Sequence, residues 1–86
     1  MKLSSVIGQY INKYKMMKPK ELAELAKGGD AEAQYELGKR LYAGKGIKKS
    51  YELARQWFEA GAEQGHVGCC YECALMLTSG TGGDAD

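Results

Sequence analysis

The chain has 86 residues, 12 Lys/Arg against 11 Asp/Glu, a formal net charge of +1 and 44% hydrophobic residues. This suits one small domain with a modest core and excludes a disordered chain. No apolar run approaches the ~20 residues a membrane-spanning helix needs, and the Val6–Ile7 pair is too short for the apolar core of a secretion signal. The three cysteines, Cys69, Cys70 and Cys73, lie within one short stretch, which is not a disulfide framework. The expectation is therefore a protein of the reducing cytoplasm, without a membrane anchor.

Charge is unevenly placed. Residues 1–20 hold five lysines and no acid, whereas the remainder holds seven basic and eleven acidic groups. A basic end attracts nucleic acid or anionic lipid, but five lysines spread over twenty residues suit a solvated helix face better.

In chain order, the first expected helix covers residues 4–17, with Ser4 or Ser5 as its cap. Val6, Ile7, Tyr10, Ile11, Tyr14 and Met17 form its apolar stripe. Pro19 suits the first turn of a second helix over 20–28, closed by Gly28–Gly29. A third runs over 31–43 with Ala33, Leu37 and Leu41 on one stripe, beside Tyr35 and Tyr42, until Gly44 and Gly46 stop it. Ser50 is the expected N-cap of a fourth helix over 51–64, whose buried stripe would be Leu53, Ala54, Trp57, Phe58 and Ala62. Gly65 and His66 end it, and a fifth helix occupies 67–78.

These elements repeat. Shifting the sequence by 36 residues pairs Ala26 with Ala62, Gly29 with Gly65, Tyr35 with Tyr71, Glu36 with Glu72, Leu41 with Leu77, Gly44 with Gly80 and Gly46 with Gly82. Ala33/Cys69, Leu37/Cys73 and Gly38/Ala74 keep small or apolar character. One such unit cannot bury its own apolar stripe, so neighbouring units must stack.

The residues Ala31-Glu-Ala-Gln-Tyr-Glu-Leu-Gly38, Leu41-Tyr42, Gly44-Lys-Gly46, Ala54, Trp57-Phe58 and Ala62-Glu-Gln-Gly-His66 resemble the Sel-one-like repeat. That family is an α/α repeat of the tetratricopeptide type. The resemblance covers one whole repeat (31–66), the first half of a second (67–82) and the last helix of a preceding one (20–30). It implies an all-α fold, a short α/α solenoid whose surfaces bind other proteins, and it brings no catalytic residues. The N-terminal helix pair departs from the repeat spacing and reads as an atypical cap. Residues 1–80 then form a single domain (cap and preceding helix 1–30, full repeat 31–66, half repeat 67–80), followed by a flexible tail over 81–86. Gly61 stands where the family usually has alanine, at a helix-propensity cost of up to ~1 kcal/mol.

His66, Cys69, Cys70 and Cys73 fall at i, i+3, i+4 and i+7, a stripe of soft ligands. One straight helix cannot close a tetrahedron of four ligands around zinc. Cys69 and Cys73 moreover occupy the repeat positions of Ala33 and Leu37, where a free cysteine packs as a small hydrophobe. No metal and no cofactor is expected. Cys70-Tyr-Glu-Cys73 lacks the βαβ setting of a redox motif, and Ser79–Gly83 lacks the Lys-Ser/Thr ending of a phosphate loop. No nucleophile or acid–base arrangement points to an enzyme.

The last helix is the expected binding site. Glu32, Gln34, Lys39 and Arg40 of the third helix become Gly68, Cys70, Leu75 and Met76 one period later, leaving Glu72 as the only charge. With Cys69, Cys73, Ala74 and Leu77 assigned to the core, an apolar remainder faces water, as interaction sites do. The residues expected to bind a partner protein are Val67, Cys70, Tyr71, Leu75 and Met76. The partner is a different protein or a second copy of the chain, in an adaptor or inhibitor role. The alternative function is weak nucleic-acid binding through residues 1–20, with Tyr10 and Tyr14 as stacking groups; core packing of these two tyrosines is favoured, and nucleic acid is not the expected partner.

Overall fold

The structure, a computed structural model, describes residues 13–79. It is helical throughout, with no strand among the described residues. Residues 13–15 are helical, and the Met17 N–H closes a turn onto the Tyr14 carbonyl at 3.2 Å. Four helices follow: α1 (Pro19–Lys27), α2 (Ala31–Ala43), α3 (Tyr51–Glu63) and α4 (Val67–Ser79). They match the expected second to fifth helices to within a residue at each end. The expected helix over 4–17 lies mostly outside the described residues, as does the tail.

The repeat is visible in the way the helices stop and start. At the end of α1 the Gly29 N–H bonds to the Ala26 carbonyl (3.1 Å) and the Asp30 N–H to the Leu25 carbonyl (3.1 Å). At the end of α3 the Gly65 N–H bonds to Ala62 (2.9 Å) and the His66 N–H to Gly61 (3.1 Å). Gly29 and Gly65 sit at φ +100° and +83°, a region that costs other L-residues energy, which explains why this pair is identical. The next residue in each unit starts a helix. Asp30 Oδ1 accepts from the Ala33 N–H at 3.1 Å, and His66 Nδ1 accepts from the Cys69 N–H at 3.1 Å. Ser50 does the same for α3, accepting from the Leu53 N–H at 3.2 Å.

Consecutive helices pack against each other, α1 on α2, α2 on α3 and α3 on α4. Leu22, Ala26, Ala33, Leu37, Leu41, Ala54, Phe58, Cys69 and Met76 are buried, and Tyr14 closes the N-terminal end of this core. Its centre is the contact of Gly38 with Phe58: a Cβ built on Gly38 would lie 2.6 Å from the ring. The fully buried Phe58 contributes about 2–3 kcal/mol through its apolar area. Of the stripe expected for α3, Ala54 and Phe58 are buried, Trp57 and Ala62 are half-buried, and Leu53 is exposed. Leu53 lies on the flank of the helix pair, one residue off the line running from Ala54 through Phe58 to Gly61.

Two polar residues of α2, Gln34 and Arg40, are buried. Gln34 donates Nε2–H to the Ala26 carbonyl at 2.9 Å and accepts from Gln64 Nε2 at 3.1 Å, tying the ends of α1 and α3 together. The Arg40 guanidinium donates to the carbonyls of Tyr14 (2.9 Å), Lys15 (2.7 Å) and Met17, where the helical residues 13–15 end. Glu36 holds its Nε at 3.3 Å. A cation at a helix C-terminus answers both the free carbonyls and the helix dipole. Tyr14 completes the join by donating its hydroxyl to Asp30 Oδ2 at 2.9 Å.

The α3–α4 contact explains the unusual Gly61. A Cβ there would stand 2.3 Å from the Cys69 sulfur. Glycine on α3 makes room for a thiol where the preceding unit carries Ala33. Gly61→Ala alone should therefore destabilise by about 1–2 kcal/mol despite its better helix propensity, and Cys69→Ala alone by a similar amount through the cavity it leaves. The double variant Gly61→Ala/Cys69→Ala should recover wild-type stability or exceed it. Urea denaturation of the four proteins checks this; additive losses would mean that the two sites do not share one space.

Candidate protein-binding surface

α4 is held at its start by His66. With Nδ1 accepting from the Cys69 N–H, the ring proton sits on Nε2, which faces Glu32 Oε1 at 2.8 Å, while the ring packs 4.9 Å from Tyr35. This fixes the rotation of α4 about its axis. Cys69 and Met76 point inwards, with Cys73 half-buried between them, at i, i+7 and i+4. The opposite side carries Val67 (81% exposed), Cys70, Tyr71 (62%), Ala74, Leu75 (46%) and Leu77 (69%). Glu72, half-buried, is the only charged residue of the helix.

Four of the five expected binding residues, Val67, Cys70, Tyr71 and Leu75, are thus exposed together. The fifth, Met76, is not: it is 3% exposed and belongs to the core. Ala74 and Leu77, expected in the core, are on the surface. The correction for Met76 has a different cause from that for Ala74 and Leu77, which no helix covers among the described residues. Met76 is the repeat counterpart of Arg40, which is polar yet buried; the inward stripe of α4 passes through Cys69, Cys73 and Met76.

The exposed face of α4 has an exact counterpart in α2. Gln34, Tyr35, Gly38 and Leu41 are buried or half-buried in α2 because α3 covers them. Tyr35 lies 6.2 Å from the Phe58 ring, Gly38 touches that ring, and the Leu41 carbonyl accepts from the Ser50 N–H at 2.9 Å. Their counterparts Cys70, Tyr71, Ala74 and Leu77 are all exposed. Cys70 even repeats the inward contact of Gln34: its thiol donates weakly to the Ala62 carbonyl at 3.9 Å, as Gln34 donates to Ala26. What is missing among the described residues is the covering helix.

Residues 31–66 match the family model of the Sel1 repeat. This segment is similar to a Sel1 repeat. Its two helices are α2 and α3, and the unit ends on His66, so α4 opens a second unit at the same spacing. Among curated proteins and among solved structures, nothing matches the chain. Sel1 repeats are in general non-catalytic modules for protein–protein interaction, and the resemblance seen in the sequence holds.

The cysteines split along the same division. Burial pushes the Cys69 thiol up to about 12, with the neighbouring Cys73 and Cys70 adding to the shift. Cys73 is raised as well, first by burial and then by Glu59. Cys70 is exposed, and all three are free. Among the described residues, no group of three or more His, Cys, Asp or Glu side chains is placed to hold a metal ion. No helix there is long and apolar enough to cross a membrane. Iodoacetamide at neutral pH should label Cys70 first, Cys73 more slowly and Cys69 only after unfolding, because the thiolate is the reacting form. Peptide mass mapping over time checks the order; early labelling of Cys69 would show α4 detaching from α3.

The basic segment has a different character. Lys13, Lys15, Lys18 and Lys20 are exposed, but Tyr14 is in the core and spends its hydroxyl on Asp30, so it offers no face for stacking a base. Tyr10 lies outside the described residues. Lys15, Lys39, Arg40 and Lys45 surround an open depression of about 250 Å³ together with Glu36 and Ala43. Carbonyls of the helical residues 13–15 and the C-terminal end of α2 lie beside it, and those dipoles favour cations without any bound anion.

Proposed function

We propose that the protein is a binding module, an adaptor or an inhibitor, that captures another protein through the outer face of α4. The observation that carries this reading is the uncharged, exposed face of Val67, Cys70, Tyr71, Ala74 and Leu77, with Leu75 at its edge, on a helix packed against the repeat beneath it. Contiguous apolar area of this kind is what protein partners cover. Free thiols fit a reducing compartment, and the cytoplasm is the proposed location. The exposed lysines of residues 13–20 neutralise too few phosphates for tight nucleic-acid binding at physiological salt.

The test is a paired substitution on the exposed row, Tyr71→Glu with Leu77→Glu. Neither side chain lies in the core, so helicity and the thermal midpoint should be retained. Burying Leu77 contributes ~1.5–3 kcal/mol and the Tyr71 ring adds to it, so the variant should lose the partner that the wild type captures in an affinity purification read by mass spectrometry. Analytical ultracentrifugation of both proteins reports whether that partner is a second copy. A variant that captures the same protein at the same yield removes α4 as the interface.

A further inference from the structure

We infer that a second surface, away from α4, docks an acidic segment of a partner protein, one with apolar side chains between its carboxylates. It is the end of the helix stack formed by residues 13–20, the last turn of α2 and the loop 44–50.

Charge is sorted by end. Consecutive helices run back and forth across short connections, so the starts of α1 and α3 lie beside the end of α2. The Arg40 bonds to the carbonyls of Tyr14, Lys15 and Met17, and the Ser50–Leu41 hydrogen bond, join them there. Four lysines come from residues 13–20, Lys39 and Arg40 from α2, and Lys45, Lys48 and Lys49 from the loop. Three carboxylates stand among them, Glu21, Glu36 and Glu52. The opposite end carries Glu24, Asp30, Glu32, Glu59 and Glu63 and, of the lysines, Lys27. Among the described residues, Lys39 is the lysine that a carboxylate neutralises, with Glu36 at 3.5 Å; the others at the basic end are exposed.

The fold explains part of this charge. Arg40 answers the carbonyls of residues 14–17, and Lys15, Lys39 and Lys45 ring the depression beside them. Lys18 and Lys20 instead stand at the start of α1, and Lys48 and Lys49 just before the start of α3. A helix N-terminus is the positive end of its dipole, so cations are disfavoured there, and crowding them adds repulsion. An anionic partner relieves both.

The spacing selects a polypeptide. Duplex DNA carries a charge every ~1.7 Å of its axis, and a track of that density across this end would bring phosphates onto Glu21, Glu36 and Glu52. A polypeptide can place carboxylates only where lysines stand. Apolar surface lies beside those lysines. Met16, next to Lys15, is 82% exposed, and the exposed Tyr42 and Tyr51 stack at 4.9 Å with Lys49 Nζ 4.8 Å from the Tyr51 ring. Aliphatic side chains cover such surface, whereas phosphates leave it wet.

The experiment is fluorescence anisotropy of the full chain with a labelled peptide of Glu-Glu-Leu repeats and a Gln-Gln-Leu control. The acidic peptide should bind with a Kd of about 100 μM or tighter at about 150 mM salt, and roughly tenfold more weakly when the salt is doubled. Lys48→Glu and Lys27→Glu change the net charge equally at opposite ends, both on exposed side chains, so the thermal midpoint should hold. The first should weaken binding about fivefold and the second less than about twofold. The Tyr71→Glu/Leu77→Glu chain should bind the peptide about as the wild type does, which separates this surface from α4. No binding up to about 1 mM, equal binding of the glutamine peptide, or equal loss in the two lysine variants overturns the inference, as does loss of the peptide in the α4 variant. Tighter binding of random duplex DNA, or of phosphatidylcholine vesicles containing phosphatidylserine, than of the acidic peptide overturns it too, because the surface would then read phosphate.

Discussion

Replacing Arg40 by alanine is expected to release residues 13–17 from α2 and to destabilise the protein by about 2–4 kcal/mol, since a buried group that donates several charge-assisted hydrogen bonds leaves its acceptors unpaired. Three carbonyls, those of Tyr14, Lys15 and Met17, converge on one guanidinium. Glu36 would also lose its contact at 3.3 Å, keeping only that to Lys39 at 3.5 Å. Arg40→Lys should recover only part of the loss, because a single ammonium cannot span acceptors arranged for a planar fork. The readout that separates local release from global weakening is trypsin cleavage in the native state: cuts at Lys13 and Lys15 should accelerate far more than cuts at Arg55. Uniform acceleration would mean that Arg40 supports the whole fold rather than this junction.

Gly38→Leu is the second large effect. Even the first carbon of the new side chain would meet the Phe58 ring at 2.6 Å, and the rest has no space between α2 and α3. A loss near the top of the ~1–3 kcal/mol range for overpacking is expected. The ring is itself fully buried, so it cannot swing out to solvent without surrendering its own burial. Phe58→Ala in the same chain should offset part of the damage, because the leucine then fills space the ring has left. Chemical denaturation of the single and double variants checks this. An unchanged midpoint for Gly38→Leu would place Gly38 away from the helix contact.

The two variants probe different layers of one design. Gly38 and Phe58 set the spacing within the Sel1 repeat, while Arg40 fastens the preceding segment to it. Both act at a distance from α4, so neither should alter which partner is recognised, only how much folded protein is available to recognise it.

Local chemistry made much of this legible from the sequence alone. Gly29 and Gly65 punctuate the helices because only glycine takes their backbone conformation cheaply, and Ser50 announces α3 because its hydroxyl reaches the Leu53 N–H. The 36-residue period of small and aromatic residues determined the all-α stacking and the pairing of Gly38 with a bulky neighbour. The exposure of Val67, Cys70, Tyr71 and Leu75 was readable too, since their positions fall off the stripe of Cys69 and Cys73 that packs on α3.

Only the tertiary structure decided which polar residues go inside. Arg40 and Gln34 look like solvent-facing helix residues until carbonyls from residues 14–17 and from Ala26 arrive to accept their protons, contacts separated by 23 to 26 residues and by 8 along the chain. Met76 was misplaced for the same reason, because its burial follows from that of Arg40 one repeat earlier. Leu77 went the other way: its sequence matches the buried Leu41, but burial is conferred by a neighbouring helix, and among the described residues none covers it. A side chain's own chemistry sets what its environment must satisfy; which environment it meets depends on what packs beside it.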